Sequence, residues 1–218
     1  MSASIYHVLA VSKPPLLLGQ WDDPGWRKIS PLEINHFHPE SSDHRPTTRV
    51  KMAYDAAHLY VLFDVDDRYV ISRHQRPQGP VSQDSCVEFF LQVRSSPGYF
   101  NFEINAGGTM LLRYNRVPRV DFESLPPTSL EAVKVFHSLP RTVMPEMPGP
   151  VNWQIELAIP ISILERYAGP ITLPGSTMRA NFYKCASESS HPHWASWSPI
   201  GPGLDFHVPS CFGELIFI

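Results

Sequence analysis

Residues 83–108, QDSCVEFFLQVRSSPGYFNFEINAGG, predict a β-hairpin around which the rest of the chain is organised. Apolar and polar side chains alternate along both halves of this stretch, and side chains two apart share one face of a strand. One face is therefore an apolar wall of the core, formed by Val87, Phe89, Leu91, Val93, Phe100, Phe102 and Ile104. The segment Ser-Ser-Pro-Gly at 95–98 has the composition of a turn between the two strands.

The opposite face of the same hairpin mixes carboxylates, amides and aromatic rings. Its members are Glu88, Phe90, Tyr99, Asn101, Glu103 and Asn105. Such a surface suits the binding of a polar ligand. The same pattern also fits the solvated side of an antiparallel sheet, and the pattern alone slightly favours that second interpretation.

The composition is that of a globular protein with a substantial core: 218 residues, 43% hydrophobic and 18% charged. We predict a single domain over residues 1–218, because β-sandwiches of this length commonly form one unit. The net charge of −3 argues against nucleic acid or an anionic membrane surface as a partner. The 23 prolines, about twice the usual share, predict short strands joined by rigid loops.

Targeting and cysteine signals are weak. No segment approaches the roughly 20 apolar residues of a membrane-spanning helix. The first residues, MSASIYHVLAVSKPPLLLGQ, lack the basic start and long apolar run of a signal peptide. The widely spaced Cys86, Cys185 and Cys211 predict neither a metal knuckle nor a disulfide framework. Free thiols are expected, with one disulfide as the alternative in an oxidising compartment.

The remaining segments predict an all-β fold. A second hairpin over residues 49–55 and 59–67 has an arm, LYVLFDVDD, that is apolar enough to lie in the centre of its sheet. Residues 160–167 predict the one short helix, which begins with a proline and ends before Gly169-Pro170. Residues 130–136 alternate as a strand. About ten short strands predict a two-sheet antiparallel β-sandwich, immunoglobulin-like or jelly-roll-like.

Several motifs occur in a fixed order along nearly the whole chain. They are GQWDDPGW at 19–26, Tyr54-Asp55, Leu59-Tyr60-Val61, Gln83-Asp84-Ser85, Val87-Glu88-Phe89-Phe90, Trp153, Ile159-Pro160, Asn181-Phe182, Trp197-Ser198 and Phe206-His207 before Phe212-Gly213. This ordered set resembles the family 9 carbohydrate-binding modules. The resemblance implies a sandwich of two antiparallel sheets that binds sugar. It also implies structural calcium in some members and frequent attachment to a glycoside hydrolase.

The resemblance also implies roles for individual residues. Glu88 matches a strand acid that helps to hold the sugar in well-studied members. Asn105 and Asn181 match polar positions near the same site. These three residues therefore define the expected centre of a binding site.

Three departures from the family pattern bear on that site. The two tryptophans that clamp the sugar correspond here to Val81 and Phe206, and Glu103 stands at a basic position. The departures leave the identity of the sugar open. They also favour one alternative, a protein-interaction sandwich that has lost its ligand.

Sugar binding needs flat aromatic faces for the C–H side of the ring and polar groups for its hydroxyls. The predicted ligand-binding residues are Glu88, Glu103, Asn105, Arg113, Asn181, Tyr183 and Phe206. Phe90 and Trp194 are further candidate platforms. For Glu103 and Arg113, an exposed cross-strand ion pair is an equally open alternative.

Acidic side chains at the end of a strand suggest a metal. Asp64, Asp66 and Asp67 are candidate calcium ligands, with Asp22 or Asp23 as helpers. Acidic residues at strand ends more often cap turns, so calcium is the less favoured interpretation.

The predicted function is a non-catalytic carbohydrate-binding module that binds a mono- or oligosaccharide on a polar sheet face. It would serve polysaccharide catabolism beside a glycoside hydrolase partner. Catalysis by Glu88 and Glu103 is not expected, since glycosidases need carboxyls with unequal pKa values in a cleft. A haem-binding sandwich with Met and His ligands is the other alternative. The family implies export and the first residues do not, so the compartment stays open.

Overall fold

The protein is almost entirely β-structure. The computed structural model describes residues 4–93 and 96–218, which form sixteen strands and two short α-helices. The strands are β1 (Ile5–Ala10), β2 (Leu32–Glu33), β3 (His36–Phe37), β4 (Thr47–Tyr54), β5 (His58–Asp67), β6 (Val70–Ser72), β7 (Cys86–Gln92), β8 (Tyr99–Asn105), β9 (Met110–Val117), β10 (Asp121–Ser124), β11 (Lys134–His137), β12 (Val143–Met147), β13 (Val151–Pro160), β14 (Thr177–Cys185), β15 (Trp194–Ser196) and β16 (Gly213–Phe217). The helices are α1 (Pro127–Ala132) and α2 (Ile161–Ala168). The predicted all-β class is confirmed.

The main sheet follows one path of paired strands, β10-β9-β8-β7-β14-β16-β1-β4-β5-β13-β11. Strand β1 pairs in parallel with β16 through its first residues and in parallel with β4 through its last two. It therefore joins the two halves of the sheet, and the sheet is mixed rather than purely antiparallel as predicted. The halves face each other, since Phe63 of β5 packs against Phe182 of β14 with ring centroids 6.2 Å apart.

The predicted hairpin is confirmed as strands β7 and β8, and its apolar face forms part of the core. Phe89 lies directly opposite Phe102, and it also stacks on Phe182 of the neighbouring strand β14 at 4.9 Å. All three rings are fully buried. Burial of each such ring stabilises the fold by roughly 1.5–3 kcal/mol. Residue 95 of the predicted turn lies outside the described residues.

The second face of this hairpin is also buried, so the solvated interpretation is wrong. Phe90 and Tyr99 pack there with Tyr183 of β14 and with Phe206 and Phe212, which come from the segment before β16. This segment covers the sheet face and forms a second, smaller apolar cluster. The polar residues of the hairpin therefore lie between a sheet and a covering loop.

Two local predictions about helices have different outcomes. The helix at 160–167 is confirmed as α2, which follows Pro160 and ends at Gly169. Residues 130–132, predicted as strand, instead end α1, because the adjacent Pro126 and Pro127 begin a helical turn. Only Lys134–His137 pairs with β13. None of the described helices is long and apolar enough to cross a membrane.

Candidate functional site

A cavity of about 470 Å³ lies on the sheet face opposite the main core. Strands β7, β8, β9 and β14 supply its floor with Glu88, Glu103, Leu111, Arg113 and Cys185. Residues from 78–82, residue 187 and residues from 204–207 contribute to its walls, together with Trp194 at the start of β15 and the turn after β9. The floor side chains share one face because they alternate with core residues along their strands.

Two carboxyl groups lie side by side on the floor. Glu88 of β7 is directly opposite Glu103 of β8, and their exposed fractions are 3% and 8%. Glu103 accepts a hydrogen bond of 2.7 Å from the amide of Asn101. Glu88 accepts one of 3.2 Å from the thiol of Cys185. The pair therefore forms a buried acidic centre in contact with the cavity.

The protein environment favours the protonated forms of both carboxyls. Burial raises the pKa of Glu88 well above its usual range, and the nearby Cys185 and Glu103 add to the rise. Burial also raises the pKa of Glu103, against the opposing effects of the Asn101 hydrogen bond and the positive charge of Arg113. A protonated carboxyl can donate as well as accept a hydrogen bond. The floor can therefore match either side of a hydroxyl group.

Arg113 supplies a positive charge beside these carboxyls. Its guanidinium lies over the ring of Phe122 at 4.9 Å, and its Nε atom is buried without a hydrogen-bond partner in the described part of the chain. Its cross-strand neighbour is Asn101 rather than Glu103, and Glu103 is buried. The alternative of an exposed cross-strand ion pair with Glu103 is therefore wrong. Arg113 lines the cavity, so its guanidinium can contact a ligand there.

A second arginine closes one side of the cavity. Arg119 lies in the turn after β9 with a positive φ of 59°, and its guanidinium donates to Asp205 at 2.6 and 2.9 Å. This contact connects the turn to the covering segment that carries Phe206 and His207. The sequence pattern did not single out Arg119, because a turn residue has no periodicity to report its orientation.

Aromatic side chains form another part of the wall. Phe206 stacks on Tyr183 with ring centroids 4.1 Å apart, and the Tyr183 hydroxyl donates to the Phe206 carbonyl at 2.9 Å. Trp194, which is half-buried, lines the cavity from the loop side. His207 hydrogen-bonds to Tyr99 at 2.6 Å, and burial lowers the pKa of His207 to about 4. The imidazole is therefore neutral near pH 7.

Four of the seven predicted ligand-binding residues line the cavity: Glu88, Glu103, Arg113 and Phe206. The other three lie behind the lining and contact protein groups. Asn105 donates to Asp84 and to the His74 carbonyl, while Asn181 is hydrogen-bonded to Ser198. Tyr183 supports Phe206 from below. These three residues position the walls in this structure.

The candidate calcium ligands do not meet at one point. Asp64 and Asp66 both accept from the amide of Asn152, on one face of β5. Asp67 points to the other face, where Lys184 lies 3.3 Å away. Alternation along a strand separates adjacent residues in this way. The three carboxylates therefore do not fit a single calcium ion.

Known proteins share this architecture. The family model for carbohydrate-binding family 9 matches residues 26–217. A crystal structure from Bacteroides uniformis, of a protein provisionally described as carbohydrate-binding, is 27% identical over 100% of both chains, with a TM-score of 0.88. No curated protein matches the chain.

Two structures of a family 9 module from Caldicellulosiruptor kristjanssonii are also similar, each at 16% identity. The complex with glucose covers 99% of this chain and 96% of that one, with a TM-score of 0.66. The complex with cellotriose covers 98% and 93%, with a TM-score of 0.67. The fold likeness and the family match agree over nearly the whole sequence. The chain belongs to carbohydrate-binding family 9.

Proposed function

We propose that the protein binds a mono- or oligosaccharide in the cavity above Glu88 and Glu103 and does not transform it. The observation that carries this proposal is the buried carboxyl pair that lines the cavity beside Arg113. Membership of a carbohydrate-binding family supports it, and so do the glucose and cellotriose complexes of the Caldicellulosiruptor module. These findings favour sugar over the haem and protein-interaction alternatives.

The chemistry of the cavity suits a sugar ring. Glu88, Glu103 and Arg113 together offer acceptors and donors to neighbouring hydroxyls. Phe206 and Trp194 offer apolar surface for the C–H side of the ring. The volume of about 470 Å³ falls within the range of roughly 300–1,000 Å³ typical of small-molecule sites.

The same carboxyls are poorly arranged for cleavage of a glycosidic bond. A retaining glycosidase needs one ionised nucleophile and one acid, so its two pKa values must diverge. Here burial raises the pKa of both Glu88 and Glu103. The environment does not favour the ionised form that a carboxylate nucleophile requires at either residue, which supports a binding role.

We infer that residues 1–218 act as one sandwich-like unit with the sugar site on the outer face of one layer. We further propose a role in polysaccharide catabolism beside a glycoside hydrolase, which membership of the family supports. Binding would then direct a catalytic partner to its substrate.

Calorimetric titration with a panel of mono- and oligosaccharides tests the binding proposal. We expect Glu88→Gln to weaken the affinity for the sugar at least about tenfold, which corresponds to about 1.4 kcal/mol. The matched control is Glu131→Gln, which alters an exposed glutamate of α1. The proposal fails if no sugar binds to the folded protein, or if the two variants bind with equal affinity.

A further inference from the structure

A second group of potential ligands lies at the floor of the cavity. Cys86 of β7 is directly opposite Cys185 of β14, and Glu88 lies two residues further along the face of β7. The two sulfur atoms and a carboxylate oxygen of Glu88 all lie within 4.8 Å of one another. In the described chain, this is the one such cluster of three His, Cys, Asp or Glu side chains.

These side chains are buried and make only weak hydrogen bonds. Cys86, Glu88 and Cys185 are 0%, 3% and 2% exposed. Within the described residues, the hydrogen-bond donor to Glu88 is the Cys185 thiol, at 3.2 Å. The Cys86 thiol donates to the Val87 carbonyl at 3.6 Å and also interacts with the Cys185 thiol. Thiols are weak donors. A buried carboxyl that faces a cavity with so little compensation is a position where a cation is stabilising.

The donor set indicates the class of cation. Two thiolates select a borderline-soft metal ion such as Zn²⁺, and a carboxylate completes three protein ligands. With bond lengths of about 2.3 Å to sulfur and 2.0–2.2 Å to oxygen, the edges of a tetrahedral site are roughly 3.5–3.8 Å. The Cys185 sulfur lies 3.2 Å from a Glu88 oxygen, and all three ligand atoms lie within 4.8 Å of one another, so the observed spacing is close to this range. Calcium, which takes six to eight oxygen ligands, does not suit these donors.

We propose that Cys86, Glu88 and Cys185 bind a divalent metal ion of the zinc class, with the fourth coordination position facing the cavity. Glu88 and Cys185 line that cavity, whereas Cys86 lies behind them. The fourth position is therefore open to water or to a ligand hydroxyl. Each thiol, and the Glu88 carboxyl where it is protonated, gives its proton to solvent as its bond to the metal forms. The proposal goes beyond sugar binding and does not depend on it.

Titration with Co²⁺ in place of Zn²⁺ tests this site. The protein is kept anaerobic with a reductant, and a thiol count of three confirms that Cys86, Cys185 and Cys211 are reduced. We expect one Co²⁺ per chain, with a thiolate-to-cobalt charge-transfer band and the visible bands of tetrahedral cobalt. Zn²⁺ should displace the cobalt and raise the unfolding temperature.

Variants distinguish metal binding at this site from nonspecific metal binding elsewhere on the protein. We expect Cys86→Ser and Cys185→Ser each to weaken metal binding at least about a hundredfold and to remove the charge-transfer band. Cys211→Ser is the matched control and should bind as the wild type does. Absence of the band in the wild type, or its persistence in both Cys86→Ser and Cys185→Ser, overturns the proposal.

Two measurements keep this test independent of folding defects and of the sugar proposal. Zinc-dependent stabilisation of the wild type needs no variant, so a poorly folded Cys86→Ser does not obscure the result. Cys86 does not line the cavity, so we expect Cys86→Ser to retain sugar affinity in chelator-treated protein. A wild type that binds sugar without the cobalt charge-transfer band shows that the metal proposal has failed, and one that shows the band but binds no sugar shows that the sugar proposal has failed.

Discussion

Two buried carboxylates, Asp67 and Glu88, differ in how their charge is compensated. Asp67 lies 3.3 Å from the Lys184 ammonium, hydrogen-bonds to His44 at 2.7 Å and accepts from Trp153 at 3.2 Å. Glu88 accepts from the thiol of Cys185, and its cross-strand neighbour is the acidic Glu103. The charge of Asp67 is therefore compensated by other groups of the protein, whereas Glu88 faces the cavity.

The pKa directions follow this difference. Although burial opposes it, the charge of Lys184 together with the His44 hydrogen bond holds the pKa of Asp67 below its usual range. Burial raises the pKa of Glu88, with further increases from Cys185 and Glu103. A carboxylate with its own buried counter-ion is compensated within the fold, and removal of one partner alone is destabilising. One without such a counter-ion is a candidate for binding something that is not part of the chain.

Removal of the counter-ion should have the largest effect. Lys184→Met leaves Asp67 buried without its ammonium partner, and we expect a loss of about 3–5 kcal/mol in the free energy of unfolding. Urea denaturation measures this loss. The double variant Lys184→Met with Asp67→Asn should recover part of it, because the unpaired charge is removed.

The corresponding change at the cavity is Glu88→Gln, which we expect to alter the free energy of unfolding by less than about 1 kcal/mol. Equal stability losses in Lys184→Met and Glu88→Gln would contradict the distinction between the two groups.

Acidification should destabilise the fold at the group around Asp67, because that group includes the buried His193. Burial and the charge of Lys184 lower the pKa of His193 to about 3, against the opposing effect of Asp67. His44 also packs against this ring, at 5.2 Å. The unfolded chain takes up the histidine proton near pH 6.5, and the folded chain does not. The stability that depends on a neutral His193 is therefore fully present above about pH 6.5. Below that pH the free energy of unfolding falls by up to about 1.4 kcal/mol per pH unit.

Denaturation at a series of pH values checks this slope. We expect His193→Gln to flatten the dependence between about pH 6 and pH 4, since the titrating group is removed. His36→Gln, which alters an exposed histidine of β3, is the matched control. An unchanged slope in His193→Gln would assign the acid sensitivity to other groups.

The smallest effect is expected for the cavity arginine. Arg113→Met removes a guanidinium that lies over the Phe122 ring but keeps an apolar side chain there, so stability should change by only about 0.5 kcal/mol. Sugar affinity should fall about tenfold if Arg113 donates to a hydroxyl. Arg116→Met removes an exposed arginine of the same strand that pairs with Glu123, and it serves as the control. Equal sugar affinities in the two variants exclude Arg113 from the site.

Periodicity predicted the parts of the fold that depend on local alternation. The hairpin of β7 and β8, the central position of β5 and the helix α2 were all visible in the sequence. The pattern did not predict β1 pairing in parallel with both β16 and β4, because residues distant in sequence form those ladders. Nor did it predict α1, which begins at two prolines before the alternating segment and extends into it.

The candidate site was predicted in part for the same reason. Glu88 and Glu103 belong to one hairpin, so their shared face could be read directly from their spacing. Arg119 and His207 come from a turn and a loop, in which no periodicity of the sequence indicates where a side chain points. Asn105 and Asn181 have suitable chemistry, yet their amides are occupied by protein groups that only the folded chain brings near.

The sequence by itself determined the all-β class, the polar face of the central hairpin and the resemblance to carbohydrate-binding family 9. These properties depend on side-chain alternation and on motif order, which are local or linear. Only the tertiary structure decided that the polar face is buried under the segment with Phe206, and that Cys86 meets Cys185. Both depend on contacts between strands far apart in sequence. Such contacts determine how deeply each carboxyl group is buried and whether a neighbouring charge compensates it. In charge compensation, the cavity floor differs from the group around Asp67.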